Sequence, residues 1–259
     1  MSRRHLTFDC EGSCLVGTLD DAPGKTGLLI VSGGNETRAG AFSGQAELAS
    51  RIAQAGLPVF RFDRRGVGDS EGANQGFRSN AKDIAAALSA FKRSAPEIDR
   101  VVALGNCDAA SALMLAAGEG FDGLVLSNPW TIDGDDGQLT PDEIRKRYGK
   151  KLRNPREWLR LASGNVSIGK LLKGLKRAAQ PEPDSGSLIV EMAHGLGRFE
   201  GPAMILLAER DRTAQVFRSG WSSEDWPVEI CPGASHGFAE EHARNWLLDR
   251  VLAALNRTF

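Results

Sequence analysis

Three side chains can carry covalent chemistry if folding brings them together: Cys107, Asp211 and His236. Cys107 stands in Val101-Val102-Ala103-Leu104-Gly105-Asn106-Cys107-Asp108-Ala109-Ala110-Ser111. An apolar run that reads as a strand passes through small residues directly into a stretch with helical spacing. A sharp strand-to-helix turn projects its central side chain and aims the next backbone N–H at the reacting carbonyl, the arrangement of a G-x-S-x-G elbow. Here the centre is Cys and the last small residue is Ala109. A thiolate is a stronger nucleophile than a hydroxyl near neutral pH, so the change keeps the chemistry.

The partners follow in the order nucleophile, acid, base. Asp211 comes after the apolar run Met204 to Ala208, and His236 lies in Gly233-Ala234-Ser235-His236-Gly237-Phe238, after Val228 to Cys231. His236 would take the proton of Cys107 or hold an ion pair with its thiolate, and Asp211 would fix the imidazole tautomer. Glu209 and Asp225 are rivals for the acid's place. An oxyanion hole needs two donors. Asp108 supplies one backbone N–H at a helix start, and Ser32-Gly33-Gly34-Asn35 the other, with Gly34 the first choice and Asn35 the second.

Other signals carry less. Asp63-Arg64-Arg65-Gly66-Val67-Gly68-Asp69-Ser70-Glu71-Gly72 lacks the Gly-Lys-Ser/Thr ending of a P-loop and the third glycine of a dinucleotide fingerprint. Asp133-Gly134-Asp135-Asp136-Gly137 places Gln138 where a calcium loop requires glycine. Cys10, Cys14 and Cys231 show no CxxC spacing and read as packing residues; His5, His194 and His242 read as structural or solvated. No metal and no cofactor is expected.

The elements that must position these groups are legible as an alternation. Leu28–Val31, Val59–Phe62, Val101–Leu104, Gly123–Leu126 and Met204–Leu207 read as buried strands, and 46–55, 81–92 and 109–117 as helices between them. The pattern predicts a mostly parallel, doubly wound α/β sheet. A hairpin is expected at His5–Phe8 and Leu15–Leu19, and a last helix over 240–255. Between 131 and 199 the alternation stops, which predicts a helical lid. The core is then 1–130 and 200–259.

The 259 residues carry a net charge of −1, so no global field favours nucleic acid. Charge is unevenly placed, however. From Arg145 to Arg177 there are twelve Lys or Arg and one acid, Glu157. A solvated face balanced by acids elsewhere is one reading. A docking patch for an anionic partner, built on Lys170, Lys173, Lys176 and Trp130, is the other. An acidic acyl carrier protein or CoA would fit. No apolar run approaches the ~20 residues of a membrane span, and no signal-like leader follows Met1. A cytoplasmic location is expected.

The Asp63-x-Arg65-Gly66-x-Gly68-x-Ser70-x-Gly72 stretch followed by the elbow resembles the α/β-hydrolase superfamily. More narrowly, Gly105-x-Cys107-Asp108-Ala109-Ala110-Ser111-Ala112, Asn128-Pro129-Trp130, Gly169-Lys170-Leu171-Leu172 and Asp211-x-Thr213-Ala214 resemble the exosortase A system-associated hydrolase 1 family. That resemblance implies an α/β-hydrolase fold and thiol-dependent ester or thioester chemistry. The expected activity is acyl hydrolysis through an acyl-enzyme. The alternatives are acyl transfer to an amine or hydroxyl acceptor and a non-catalytic ligand- or carrier-binding protein on the same scaffold.

Overall fold

The computed structural model describes residues 2–132 and 185–256. Eight strands form one sheet: β1 (Ser2–Cys10), β2 (Ser13–Asp21), β3 (Thr26–Val31), β4 (Val59–Phe62), β5 (Arg100–Asn106), β6 (Gly123–Ser127), β7 (Ala203–Ala208) and β8 (Val228–Cys231). Their order is β1-β2-β4-β3-β5-β6-β7-β8. The β1–β2 hairpin and the β2–β4 pair are antiparallel; every later pair is parallel. Parallel neighbours need crossovers, which the helices supply: α1 (Gly44–Gln54), α2 (Ala81–Ser94), α3 (Asp108–Leu115), α4 (Ser185–Leu196), α5 (Arg212–Gly220) and α6 (Glu241–Leu255). The predicted doubly wound sheet is therefore observed.

Apolar periodicity decides which helix faces turn inward. In α2, Ile84, Ala87, Leu88 and Phe91 recur at helical spacing and are buried. α1 buries Leu48, Ala49, Ile52 and Ala53. Two apolar layers result, one on each side of the sheet. The first includes Leu29, Phe60, Phe91, Leu113 and Leu126, and the second Ile30, Leu48, Leu104, Leu206 and Val251. Truncating such a side chain to Ala costs about 2–5 kcal/mol.

Arg61 interrupts the apolar run of β4 and is still buried. Its guanidinium pairs with Asp20 at 3.1 Å and donates to the Arg38 carbonyl, so the charge is compensated where it sits.

By internal packing the chain divides into Met1–Thr131 with Gly186–Phe259, and Ile132–Ser185. Core packing resumes earlier than the expected boundary at 200. Leu188, Met192 and Leu196 recur along α4 and are fully buried in the first apolar layer. The expected basic lid, with Lys170, Lys173 and Lys176 and the loop at 133–137, lies outside the described residues.

Candidate active site

Cys107 sits between β5 and α3 with φ 61° and ψ −128°. Positive φ is strained for a residue with a side chain, and the surroundings must hold it. The Cys107 N–H donates to the Ser127 carbonyl at 3.0 Å, and its own carbonyl accepts from Ala110 at 3.1 Å and Trp130 at 3.3 Å. Two glycines make room. A Cβ on Gly105 would meet the Ala110 nitrogen at 2.8 Å, and one on Gly33 the Asn106 carbonyl oxygen at 2.4 Å.

His236 lies in the loop after β8. Its Nδ1 is 2.9 Å from Asp211 Oδ2. Asp211 is also the N-cap of α5 and accepts from the Ala214 N–H at 3.0 Å, which fixes the carboxylate. The hydrogen bond that His236 donates to Asp211, and then the one it shares with Cys107, push its pKa up to about 10 against the opposing effect of burial. Burial alone would raise Asp211; the hydrogen bond and charge of His236 outweigh it and hold the carboxyl below its ordinary range. The structure thus brings Cys107, His236 and Asp211 together. The rivals turn elsewhere: Glu209 accepts from the Gly233 N–H at 2.7 Å, and Asp225 from the Ser223 hydroxyl at 3.0 Å.

Asn128 joins the site, though the motif that contains it gave it no role. It is fully buried at φ 43°, a conformation asparagine tolerates better than most residues. Its Nδ2 donates to Asn106 Oδ1 at 3.2 Å and to the His236 carbonyl at 3.0 Å, while its Oδ1 accepts from the Ala208 N–H at 2.8 Å. One amide therefore ties the strand entering the elbow, the histidine loop and the strand leading to Asp211. With Oδ1 engaged by Asn128, the Asn106 Nδ2 faces His236 Nε2 at 3.5 Å. That contact favours a neutral imidazole. It is at the limit of hydrogen-bond reach, and the pull of Asp211 and Cys107 dominates.

The oxyanion side departs from expectation. The Gly34 N–H, the first choice for the second donor, is directed to Asp108 Oδ1 at 2.7 Å. The acid next to the nucleophile thus covers the donor that was to meet the substrate. Arg64, nearly fully buried, donates to the Gly34 carbonyl and approaches Asp108 Oδ2 at 3.9 Å. The glycine-rich segment after β4 is thereby explained as a brace for this loop. Within it, Asp63 accepts from the Arg38 N–H at 2.6 Å and from the Asp69 N–H at 3.2 Å. Asn35, the second choice, is exposed, and its Oδ1 accepts from Asn74 at 2.9 Å. Trp130, expected at a docking patch, packs partly buried against the core, and its carbonyl accepts from the Ser111 hydroxyl at 2.6 Å. Among the described residues, no group of three or more His, Cys, Asp or Glu could hold a metal. No helix there is long and apolar enough to cross a membrane.

Comparison with solved structures returns the same fold. The alpha/beta hydrolase GrgF from Penicillium sp. sh18 is 18% identical over 100% of this chain and 99% of its own, with a TM-score of 0.66. The esterase Pf2001 from Pyrococcus furiosus is 16% identical over 99% and 91%, TM-score 0.63. A thioesterase domain from the curacin biosynthetic pathway is 13% identical over 98% and 100%, TM-score 0.56. A comparison with the curated proteins gave no match. Residues 28–250 match the profile of the alpha/beta hydrolase family. With the sheet order, the elbow and that match in agreement, the chain belongs to the alpha/beta hydrolase family.

Proposed function

We propose that the protein is an acyl hydrolase that uses Cys107 as nucleophile. The observation that carries the proposal is the placement of His236 between Asp211, at 2.9 Å, and the elbow thiol. With its proton already held by His236, Cys107 attacks the carbonyl of an ester or thioester. His236 then protonates the leaving group. A thioester to Cys107 remains, and water activated by His236 releases the acid. Asp211 holds the imidazole tautomer and stabilises its charge. The Asp108 N–H is the first oxyanion donor. With the Gly34 N–H taken, the Asn35 N–H is the proposed second.

That an esterase and a thioesterase domain share the fold supports an ester or thioester as substrate. The narrower resemblance to the exosortase A system-associated hydrolases supports a thiol mechanism in particular. An acidic carrier or CoA meeting Lys170, Lys173 and Lys176 belongs to the same proposal, as does a cytoplasmic location. Intact-protein mass spectrometry after incubation with short and long acyl esters and acyl-CoAs tests the mechanism. An acyl adduct in wild type that is lost in Cys107→Ala is expected. No adduct with any donor would turn the reading to a ligand-binding protein on a hydrolase scaffold.

A further inference from the structure

The sheet has two edges, and they differ. β8 is four residues long, and its Glu229 is held by Arg250 at 2.6 Å. β1 is nine residues long, contains no proline and pairs with β2 without a bulge. Proteins usually shorten, kink or cover such an edge, because its open row of backbone groups recruits another strand. Along β1, Ser2, Arg3, Arg4, His5, Thr7 and Asp9 are exposed.

Which backbone groups stand open follows from β2. Cys14 and Val16 turn theirs away from β1. The Cys14 N–H donates to Glu71 Oε2 at 3.0 Å, its carbonyl accepts from the Glu71 N–H at 2.9 Å, and the Val16 carbonyl accepts from the Asp63 N–H at 2.9 Å. Opposite these two stand Asp9 and Thr7. Residues of an antiparallel strand alternate between bonding a neighbour and turning away from it. Arg3, His5, Thr7 and Asp9 therefore present their N–H and C=O to the open side, while Arg4, Leu6 and Phe8 bond β2.

Two features select a second copy of this chain as the strand that belongs there. The first is parity. Antiparallel pairing about a two-fold axis at Leu6 sets Arg3 opposite Asp9 of the second copy and His5 opposite Thr7. All four open residues then meet one another, each pair exchanging both backbone bonds. A shift by two residues in either direction leaves Arg3 or Asp9 without a partner within β1. The second feature is charge. That same register brings opposite charges together at both ends. The Asp9 carboxylate accepts a long bond from the Gly12 N–H at 3.4 Å, and no cation among the described residues pairs with it. Arg3 reaches Asp20 at 2.6 Å and the Ala46 carbonyl at 3.2 Å, and its guanidinium has donors to spare. An unlike strand would have to carry the matching acid and base at the same spacing; a second copy always does.

We propose that β1 is a dimer edge, at which two copies pair β1 to β1, antiparallel about a two-fold axis at Leu6, and join their sheets into one. The contact is isologous and closes on itself, so it yields a dimer and no filament. It is independent of whether Cys107 acts as a nucleophile.

Sedimentation velocity on the full chain over a dilution series tests the proposal. The wild type should pass from dimer to monomer on dilution. Thr7→Pro removes an N–H that only the second copy uses, and an edge strand tolerates proline where its N–H faces outward. That variant should be monomeric with an unchanged far-UV circular dichroism spectrum. Arg3→Glu and Asp9→Arg each set like charges opposite one another at both ends, and each should weaken the dimer by about tenfold or more. Mixed together, these two variants restore an opposite pair at both ends, so a heterodimer should form where neither variant dimerises alone. A wild type that stays monomeric at its highest soluble concentration leaves the edge to an unlike strand or to solvent and overturns the proposal. A dimer that Thr7→Pro leaves intact also overturns it, as do folded charge variants that mix without associating.

Discussion

The two sides of Cys107 are built differently. On the proton-handling side, every group is oriented by another. Asp211 is fixed by the start of α5, His236 by Asp211, and the loop around it by Asn128. On the oxyanion side, the donor nearest the expected place is tied to a carboxylate, and a buried arginine grips the same loop. One side is arranged to move a proton at once. The other is arranged around Asp108, whose carboxylate occupies the Gly34 N–H. On the proposed reading, preorganisation is fuller for the base than for the hole.

Removing the proton-handling side should have the largest effect. Cys107→Ala and His236→Ala should each lower kcat for a p-nitrophenyl ester by about 10⁴-fold or more, since members of one catalytic unit are lost together. Asp211→Asn keeps an oxygen that can cap α5 but presents the wrong tautomer to His236. Its kcat should fall by about 10⁴-fold while Tm scarcely moves. A large drop in Tm with modest loss of rate would make Asp211 a capping residue and no more.

The oxyanion side should respond less and in the other direction. Asp108→Ala frees the Gly34 N–H and should raise kcat by about tenfold, a fraction of the 10²–10³ that one such donor is worth. A fall of that size would show that the carboxylate itself assists catalysis, and the contrast between the two sides would fail.

Asn128→Ala tests the link between them. It leaves the buried Ala208 N–H without its partner, which costs about 1–3 kcal/mol, and it forces Ala into a left-handed conformation. Tm should fall, and kcat should fall more than KM rises. Asn128→Asp restores an acceptor for Ala208 but not the donor for His236, so it should recover stability without recovering kcat.

The smallest effect is on the pH dependence of stability. The folded-state pKa of His236 is raised, so its contribution is fully present below its ordinary value of 6.5 and is lost as pH rises through about 10. Asp211 is depressed, so its contribution is present above the ordinary 3.8 and is lost as pH falls through the folded value. Tm of the wild type should decline between pH 7 and 10.5 more than that of His236→Ala. Parallel profiles would show that the imidazole is not held in its charged form.

Much of this was readable before the structure. The strands announced themselves because a parallel sheet covered on both faces demands continuous apolar runs, and the elbow because small residues must flank a strained turn. The order Cys107, Asp211, His236 followed from the same pattern. A helical stretch there was expected, but the place of α4 in the core was hidden because Leu188, Met192 and Leu196 lie beyond a stretch where strand alternation had stopped. The role of Gly34 was misjudged because no sequence pattern records which way the Asp108 carboxylate points. Asn128 was visible only as part of a motif. Its three hydrogen bonds join residues 22, 80 and 108 positions away, a relation that only the folded chain displays.

That amide also bears on how the protein tolerates change. The first segment of the core unit ends at Thr131, three residues beyond Asn128, and its second begins at Gly186. The last strand before Thr131 is pinned to the nucleophile, the base and the approach to the acid through one side chain. The elbow, the histidine loop and the approach to Asp211 are thereby tied together by groups of the core alone.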